Sequence, residues 1–212
     1  MRLPPSLRAV PWAELKYALW LPVYLLSFAA LEHLPIAAYW PTQLPLDDRI
    51  PFCEGFVVFY CAWYFLLLAV GLGLLVRDRR AFRRYMCFLA VTFFLSEAVW
   101  LLVPNGQDLR PAVMPRDNLC TALVGVLYRV DTNTNVFPSV HVVGAVGAAL
   151  AVWDCRCWKH RRLLRWGTAA LAALICAATL FIKQHAVLDV VSALALSLAA
   201  ALFLYRRHPE AL

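Results

Sequence analysis

Six apolar runs separated by polar stretches give this chain its pattern. The runs are continuous rather than alternating, which favours helices over the strands of a membrane barrel. A helix that crosses a bilayer needs about 20 residues, and only the fourth run is short for a span. The pattern predicts an all-α, polytopic membrane helix bundle with six transmembrane helices in a single domain, residues 1–212, provided that neighbouring helices shield the ends of the fourth. The runs cover residues 14–34, 55–76, 85–103, 139–153, 164–182 and 186–205.

Composition agrees with a membrane protein. The chain is 63% hydrophobic, with a mean hydropathy of +0.67, whereas a soluble domain is about 45–50% apolar. Its net charge of +7 would suit an anionic partner such as nucleic acid, but the distribution of the charge indicates otherwise. Fifteen of the 20 lysines and arginines lie before or at the start of the first run, after the sixth, or in and directly beside the connections between runs two and three and runs four and five. The positive-inside rule then places both termini in the cytoplasm, and no nucleic-acid partner is expected.

The connection 104–138 is the longest between two runs. A loop of this length in a compact protein usually has a function or structure of its own. Between Asp117 and Val130, polar residues are interleaved with leucine, valine and alanine. This pattern predicts a short amphipathic helix at the membrane interface, with Asp117 or Asn118 as its N-cap.

The cysteines are scattered and odd in number. Cys53 and Cys120 fall on the outer side of the predicted topology, where the spacing does not decide whether they pair. Cys155, Cys157 and His160 resemble metal ligands, but the five basic residues of their loop would repel a cation. We therefore expect no metal site and no cofactor.

A first polar stretch, residues 137–141, stands at the edge of the fourth run. Pro138 is favoured in the first turn of a helix, so a helix should begin near it. The backbone N–H groups of Ser139 to His141 would then point outward, unpaired, and form an anion site suited to phosphate. Ser139 adds a hydroxyl, and His141 adds a group that exchanges a proton near neutral pH. The alternative is an ordinary serine cap beside an interfacial histidine.

A second polar stretch, residues 183–189, stands at the edge of the sixth run. His185 and Asp189 are four residues apart and share one helix face. A carboxylate there can hold Nδ1–H of the imidazole and leave Nε2 free as a base or nucleophile. The alternative is a buried polar pair that joins helices. His141 and His185 are 44 residues apart, about the length of two crossings and a turn, so both should reach the same membrane face.

Phosphate also requires positive charge. Arg110 and Arg116 lie in the long outer loop, and Lys183 is two residues before His185. Arginine binds phosphate oxygens in pairs, whereas lysine acts as a point charge. The alternatives are a solvated loop charge for Arg116 and an interfacial, snorkelling lysine for Lys183. Glu97, inside the third run, would contact substrate or pair with an outer-loop arginine.

Three ordered motifs carry a resemblance to a known family. Arg110-Pro111, Pro138-Ser139-x-His141 and His185-x-x-x-Asp189 resemble the motifs of the type 2 phosphatidic acid phosphatase (PAP2) superfamily, over about residues 104–190. The sequence departs from the commonest pattern at three positions, where the family has Lys, Gly and Arg. The pattern is more similar to the inositol phosphorylceramide synthase-like branch. The three departures are Val103, Val140 and Thr179.

The resemblance implies a mechanism in which His185 attacks phosphorus and forms a phosphohistidine, with Asp189 orienting it. His141 would protonate the leaving oxygen and then activate the acceptor. Arg110, Ser139 and Lys183 would hold the phosphoryl oxygens, and Arg116 is a further candidate for phosphate or substrate contact. Phosphoryl transfer depends mainly on positioning and charge stabilisation, which these groups can supply.

The function expected from this resemblance is that of an integral-membrane lipid phosphatase. It would hydrolyse a lipid phosphomonoester or diphosphate in the cell membrane, at a site on the extracytoplasmic side. The first alternative is a lipid phosphotransferase, which would use the same chemistry to move a phospho-headgroup to an alcohol. The second is a lipid-binding or transport protein without catalysis, against which His141, His185 and Asp189 argue.

Overall fold

A computed structural model describes residues 12–205 of the chain, and these residues fold as a helix bundle. Short 3-10 helices span Trp12–Ala18, Asp47–Arg49, Glu54–Phe56 and Arg156–Trp158. Two short strands, β1 (Trp40–Pro41) and β2 (Asn105–Gly106), pair in parallel. The α-helices of the described part are α1 (Trp20–Glu32), α2 (Val57–Arg77), α3 (Arg79–Leu102), α4 (Leu119–Val130), α5 (Val140–Asp154), α6 (Arg162–Phe181) and α7 (Val187–Leu204).

Five helical segments of the described chain are long and apolar enough to cross a membrane. They match five of the six apolar runs, so the prediction of an all-helical, multi-pass membrane protein is confirmed in this coarser form. The fourth run forms α5, which has 15 residues, shorter than the roughly 20 that a crossing requires. Six spans and cytoplasmic termini therefore stay predictions. The terminal arginines that entered the charge argument lie outside the described residues.

Helix α5 lies at the centre of the bundle, packed against α2, α3, α6 and α7. Small residues in α5 permit this central position, because they let neighbouring side chains lie directly against the backbone of the helix. A Cβ atom at Gly144 would stand 2.7 Å from Nε1 of Trp63, and one at Gly147 would stand 2.7 Å from the ring of Phe88. Longer helices thus surround the short fourth run, in line with the expectation that neighbouring helices shield it.

Helix α1 packs on α3 through interleaved aromatic rings, including those of Trp20, Tyr24 and Phe93. Between these helices, the Ser27 hydroxyl lies 2.8 Å from Oε2 of Glu97. Glu97 is 5% exposed. The prediction that it pairs with an outer-loop arginine is wrong, because its partner is a hydroxyl group on the helix next to it.

The connection between α3 and α5 contains the predicted amphipathic helix, which is α4. Asn118, rather than Asp117, is its N-cap. The Asn118 side chain accepts a hydrogen bond from the Thr121 N–H, and the Thr121 hydroxyl oxygen accepts one from the Asn118 N–H. Leu119 and Val130 are largely exposed at its two ends, while Val124 is buried against α2 and α6. Helix α4 therefore covers one end of the bundle and presents an apolar outer surface.

Candidate active site

The start of α7 and the turn before it position His185 and Asp189. The backbone N–H groups of Gln184 and His185 both donate to the Thr179 carbonyl, each at 3.0 Å, and thereby close the end of α6. Asp189 caps α7, because its Oδ2 accepts the Ala186 N–H at 2.8 Å. The same oxygen lies 3.4 Å from Nδ1 of His185. The fully buried carboxylate thus faces Nδ1, as the spacing predicts, and Nε2 stands on the other side of the ring.

The start of α5 lies directly beside the start of α7. Ser139 is the N-cap of α5: its Oγ accepts the Val142 N–H at 3.4 Å, while its own N–H donates to the Asp189 carbonyl at 3.2 Å. The expectation that the Ser139 N–H stays unpaired is therefore wrong. Among the described residues, no group accepts a hydrogen bond from the N–H of Val140 or His141. These two donors remain available at the positive end of the α5 dipole.

His141 and His185 face each other at this end of the bundle. Their ring centroids are 5.7 Å apart, and each side chain is only about 6–7% exposed. The His141 ring is held between Tyr60 and Trp63 of α2, at centroid distances of 4.3 and 4.6 Å. Its Nδ1 lies 3.3 Å from the Tyr60 hydroxyl, which also hydrogen-bonds Asp131. Each histidine therefore has a polar neighbour at Nδ1, which is the Tyr60 hydroxyl for His141 and the Asp189 carboxylate for His185.

A cavity of about 210 Å³ lies beside the two histidines. One part of its wall is polar and consists of the histidines, Gln184 and the segment 131–135. The other part is aromatic and apolar and is supplied by α1, α2 and α3. Such a wall suits a ligand with a polar group at one end and an apolar body at the other. The apolar part is formed mainly by Tyr24, Leu25, Phe28, Trp63, Tyr64 and Trp100.

Arg110 lies directly behind the polar wall of this cavity. Its guanidinium donates to the carbonyls of Tyr128 and Asp131, at 3.1 and 2.6 Å, and to Oε1 of Gln184 at 2.5 Å. It also stacks on the Tyr128 ring, 4.3 Å from the centroid. Burial lowers the pKa of Arg110, although the charges of neighbouring groups oppose this. The structure thus brings Arg110 to the site predicted for it.

Lys183 is turned away from the histidines. It is 7% exposed, and its ammonium donates to the backbone carbonyl of Asp47 at 2.8 Å. The Asp47 carboxylate in turn accepts the Val187 N–H at 2.7 Å. Burial lowers the pKa of Lys183, while the charges of Asp47 and Asp48 act in the opposite direction. The lysine therefore joins the loop between α1 and α2 to the start of α7 and does not line the cavity.

Arg116 is also engaged elsewhere. Its Nε donates to Oε1 of Glu54 at 2.5 Å, and a second nitrogen contacts the other carboxylate oxygen. The Asn118 amide joins the same carboxylate at 2.9 Å. These hydrogen bonds raise the pKa of Arg116, whose side chain is 56% exposed. The structure does not bring Arg116 to the histidine cavity.

Potential metal ligands meet at the opposite end of the bundle. Donor atoms of Asp78, Cys155 and Cys157 lie within 4.8 Å of one another, without His160. Both Asp78 oxygens accept backbone N–H groups, and the Cys157 thiol donates to the Arg77 carbonyl at 3.2 Å. Hydrogen bonding thus accounts for the positions of Asp78 and Cys157.

The seven cysteines are all free thiols. This includes Cys53 and Cys120, whose pairing the sequence leaves open. Neither lines the histidine cavity, and Cys120 packs against a separate apolar cluster around Val57 and Ile182.

Loop residues that flank the motifs hold the site in shape. Asn105 accepts the N–H groups of Val136 and Phe137 through Oδ1, at 2.9 and 2.8 Å, just before the α5 motif. Gln107 donates to the carbonyls of Lys183 and Gln184. The sequence analysis does not single out Tyr60, which has the pattern of one more apolar residue of a membrane helix.

Fold and site together define a helical membrane protein with a buried histidine pair and an adjacent arginine at one end of the bundle. The family model of the PAP2 superfamily matches residues 89–212, more than half of the chain, and the chain belongs to this superfamily. The matched region includes all three motifs. Members of the superfamily are generally phosphoric ester hydrolases or phosphotransferases. No curated protein and no solved structure matches the chain.

Proposed function

We propose that the chain is an integral-membrane lipid phosphatase that acts through a phosphohistidine. The observation that carries this proposal is the approach of His141 and His185, with 5.7 Å between ring centroids, beside a cavity with an aromatic, apolar wall. A lipid phosphate has the same division between polar group and apolar body. Superfamily membership supports the class of chemistry.

In the proposed mechanism, Nε2 of His185 attacks phosphorus as the bond to the lipid oxygen breaks. The leaving oxygen takes a proton from Nε2 of His141, so this half requires the doubly protonated ring, which gains its Nε2 proton from solvent or from the water activated in the preceding turnover. In the second half, His141 removes a proton from water, the resulting oxygen bonds to phosphorus, and the P–N bond breaks to release phosphate. Asp189, 3.4 Å from Nδ1 of His185, orients the nucleophile and stabilises the positive charge that the ring develops.

Charge stabilisation in this mechanism comes from one arginine and a helix end. Arg110 would turn its guanidinium from Gln184 to the phosphoryl oxygens, and the free N–H groups of Val140 and His141 would add two donors. Ser139 would contribute its hydroxyl. Lys183 would act indirectly, because its contact with Asp47 fixes the turn that carries His185.

A second candidate is a lipid phosphotransferase, related to the inositol phosphorylceramide synthase-like branch. The observation that favours it is the small number of cations at the cavity: Lys183 and Arg116 are bound to other groups, which leaves Arg110. A phosphomonoester carries about 1.5 to 2 negative charges at pH 7, whereas a phosphodiester carries one. A diester donor and an alcohol acceptor would suit the weaker positive charge.

Product analysis separates the two candidates. Purified protein in lipid vesicles is given a phosphomonoester lipid or a phosphodiester lipid, each labelled at phosphorus, with and without diacylglycerol or another lipid alcohol. We expect labelled inorganic phosphate from the monoester without any alcohol. Label that appears only in a new lipid, and only when alcohol is present, would contradict hydrolysis and assign the phosphotransferase.

We further propose six spans, both termini in the cytoplasm and the histidine site on the outer face of the cell membrane. In a chain whose seven cysteines are replaced by alanine, Val113→Cys tests the loop beside Arg110, and Leu163→Cys tests the opposite end of the bundle. Both positions are more than 80% exposed. An impermeant thiol reagent should label position 113 in intact cells and position 163 only after permeabilisation. The reverse pattern would invert the topology.

A further inference from the structure

Each histidine of the site has its own carboxylate. His185 faces Asp189 directly, at 3.4 Å. His141 reaches a carboxylate through a phenol: Nδ1 lies 3.3 Å from the Tyr60 hydroxyl, and that hydroxyl hydrogen-bonds Oδ2 of Asp131. Tyr60 is fully buried, so this hydroxyl exchanges hydrogen bonds with protein groups rather than with bulk water.

The direction of these hydrogen bonds follows from the donors available. Tyr60 has one hydroxyl proton, and the stronger acceptor beside it is the Asp131 carboxylate. The phenol oxygen must then accept a proton from the imidazole, which places a hydrogen on Nδ1 of His141. In a neutral ring, the hydrogen bond at one nitrogen decides the state of the other. The lone pair of His141 therefore stands at Nε2.

Asp131 is held firmly enough to act in this way. Its N–H caps the end of α4 by donating to the Leu127 carbonyl at 2.8 Å, and its own carbonyl accepts from Arg110 at 2.6 Å. The segment that carries Asp131 lines the cavity beside His141, so the arginine motif and the α5 histidine are connected through one residue.

We propose that Tyr60 and Asp131 are positioning residues that keep His141 with a proton on Nδ1 and Nε2 directed to the reacting oxygen. This inference rests on the proposed function only for its kinetic consequence. When Nε2 takes a proton from the acceptor, the ring becomes a cation whose Nδ1–H points to the phenol, with the Asp131 charge behind it. When Nε2 returns that proton to a leaving oxygen, the ring is restored to the same tautomer.

The tautomer itself is the first test, and it does not require turnover. Full-length protein with ¹⁵N-labelled histidine is placed in lipid bilayers, and solid-state NMR reads the ring nitrogens of His141, assigned by their loss in His141→Gln. Near neutral pH we expect a protonated Nδ1 and an unprotonated Nε2. In Tyr60→Phe, which keeps the ring but removes the hydroxyl, the other tautomer should appear. An unchanged tautomer in Tyr60→Phe would overturn the proposal.

Kinetics provide the second test. Tyr60→Phe should lower kcat by about tenfold to a hundredfold, at or below the lower end of the roughly 10²- to 10⁴-fold that a general acid–base group itself contributes, and leave KM within about twofold because no substrate contact is lost. Asp131→Asn should act in the same direction. The matched control is Tyr85→Phe, which removes another buried tyrosine hydroxyl, one that donates to the Leu67 carbonyl, and should change neither readout. Wild-type kcat in Tyr60→Phe, with His185→Ala inactive, would overturn the positioning role and leave the proposed function standing.

Discussion

His185→Ala is expected to lower turnover of a lipid phosphate by at least about 10⁴-fold, because it removes the atom that bonds to phosphorus. The variant should also lose the phosphoenzyme. Wild-type protein mixed with ³²P-labelled lipid phosphate and quenched within milliseconds should carry label that survives alkali and is released by acid, as expected of a P–N bond. The same quench of His185→Ala should show no labelled protein.

His160→Ala is the matched control for this experiment. His160 is exposed and lies in the connection between α5 and α6, at the opposite end of the bundle. Its replacement should leave both turnover and labelling at the wild-type level. Full activity of His185→Ala on the wild-type substrate would exclude the phosphohistidine mechanism.

The helical, membrane-type fold was predictable because continuous apolar runs and their lengths are properties of the chain alone. The proximity of the two histidines was predictable for the same reason. Helix α5 leads the chain away from His141, and α6 returns it to the same end of the bundle, where His185 lies. The boundary of α5 also followed from local chemistry, since Ser139 caps the helix. These features depend on neighbours in sequence or on helix length.

The directions of the charged side chains were not predictable. Charge and position predict Lys183 and Arg116 as phosphate ligands, but their partners, at Asp47 and Glu54, come from the stretch of chain between α1 and α2. Nothing in the spacing of basic residues indicates which acidic residue or carbonyl will fold against them. Arg110 lies directly behind the cavity wall because Asp131 and Gln184, which line the cavity, accept its hydrogen bonds.

The Tyr60 contact was missed for a related reason. In a membrane helix, a tyrosine among phenylalanines and leucines has the pattern of packing, and only the tertiary structure shows that its hydroxyl meets His141 and Asp131. A polar residue in an apolar run therefore indicates a hydrogen-bond partner without identifying it. Such partners of the reacting groups had to come from the structure.

His141→Gln is expected to lower turnover of a lipid phosphate by about 10²- to 10⁴-fold, the usual contribution of a general acid–base group. A lipid alkoxide is a poor leaving group without a proton, so the variant should form the phosphoenzyme slowly. An aryl phosphate, whose leaving oxygen needs no proton, bypasses this requirement. With it, His141→Gln should label His185 at close to the wild-type rate, as measured by rapid quench.

The second half of the reaction makes the same variant more informative. Once labelled by the aryl phosphate, His141→Gln lacks the base that activates water, so the phosphoenzyme should persist many times longer than in the wild type. His160→Gln, altered at the opposite end of the bundle, should behave as wild type in both steps. If His141→Gln formed the phosphoenzyme from lipid and lost it at wild-type rates, His141 would be neither acid nor base. If only the lifetime changed, His141 would act on the acceptor alone, and the leaving oxygen would have to take its proton from another group.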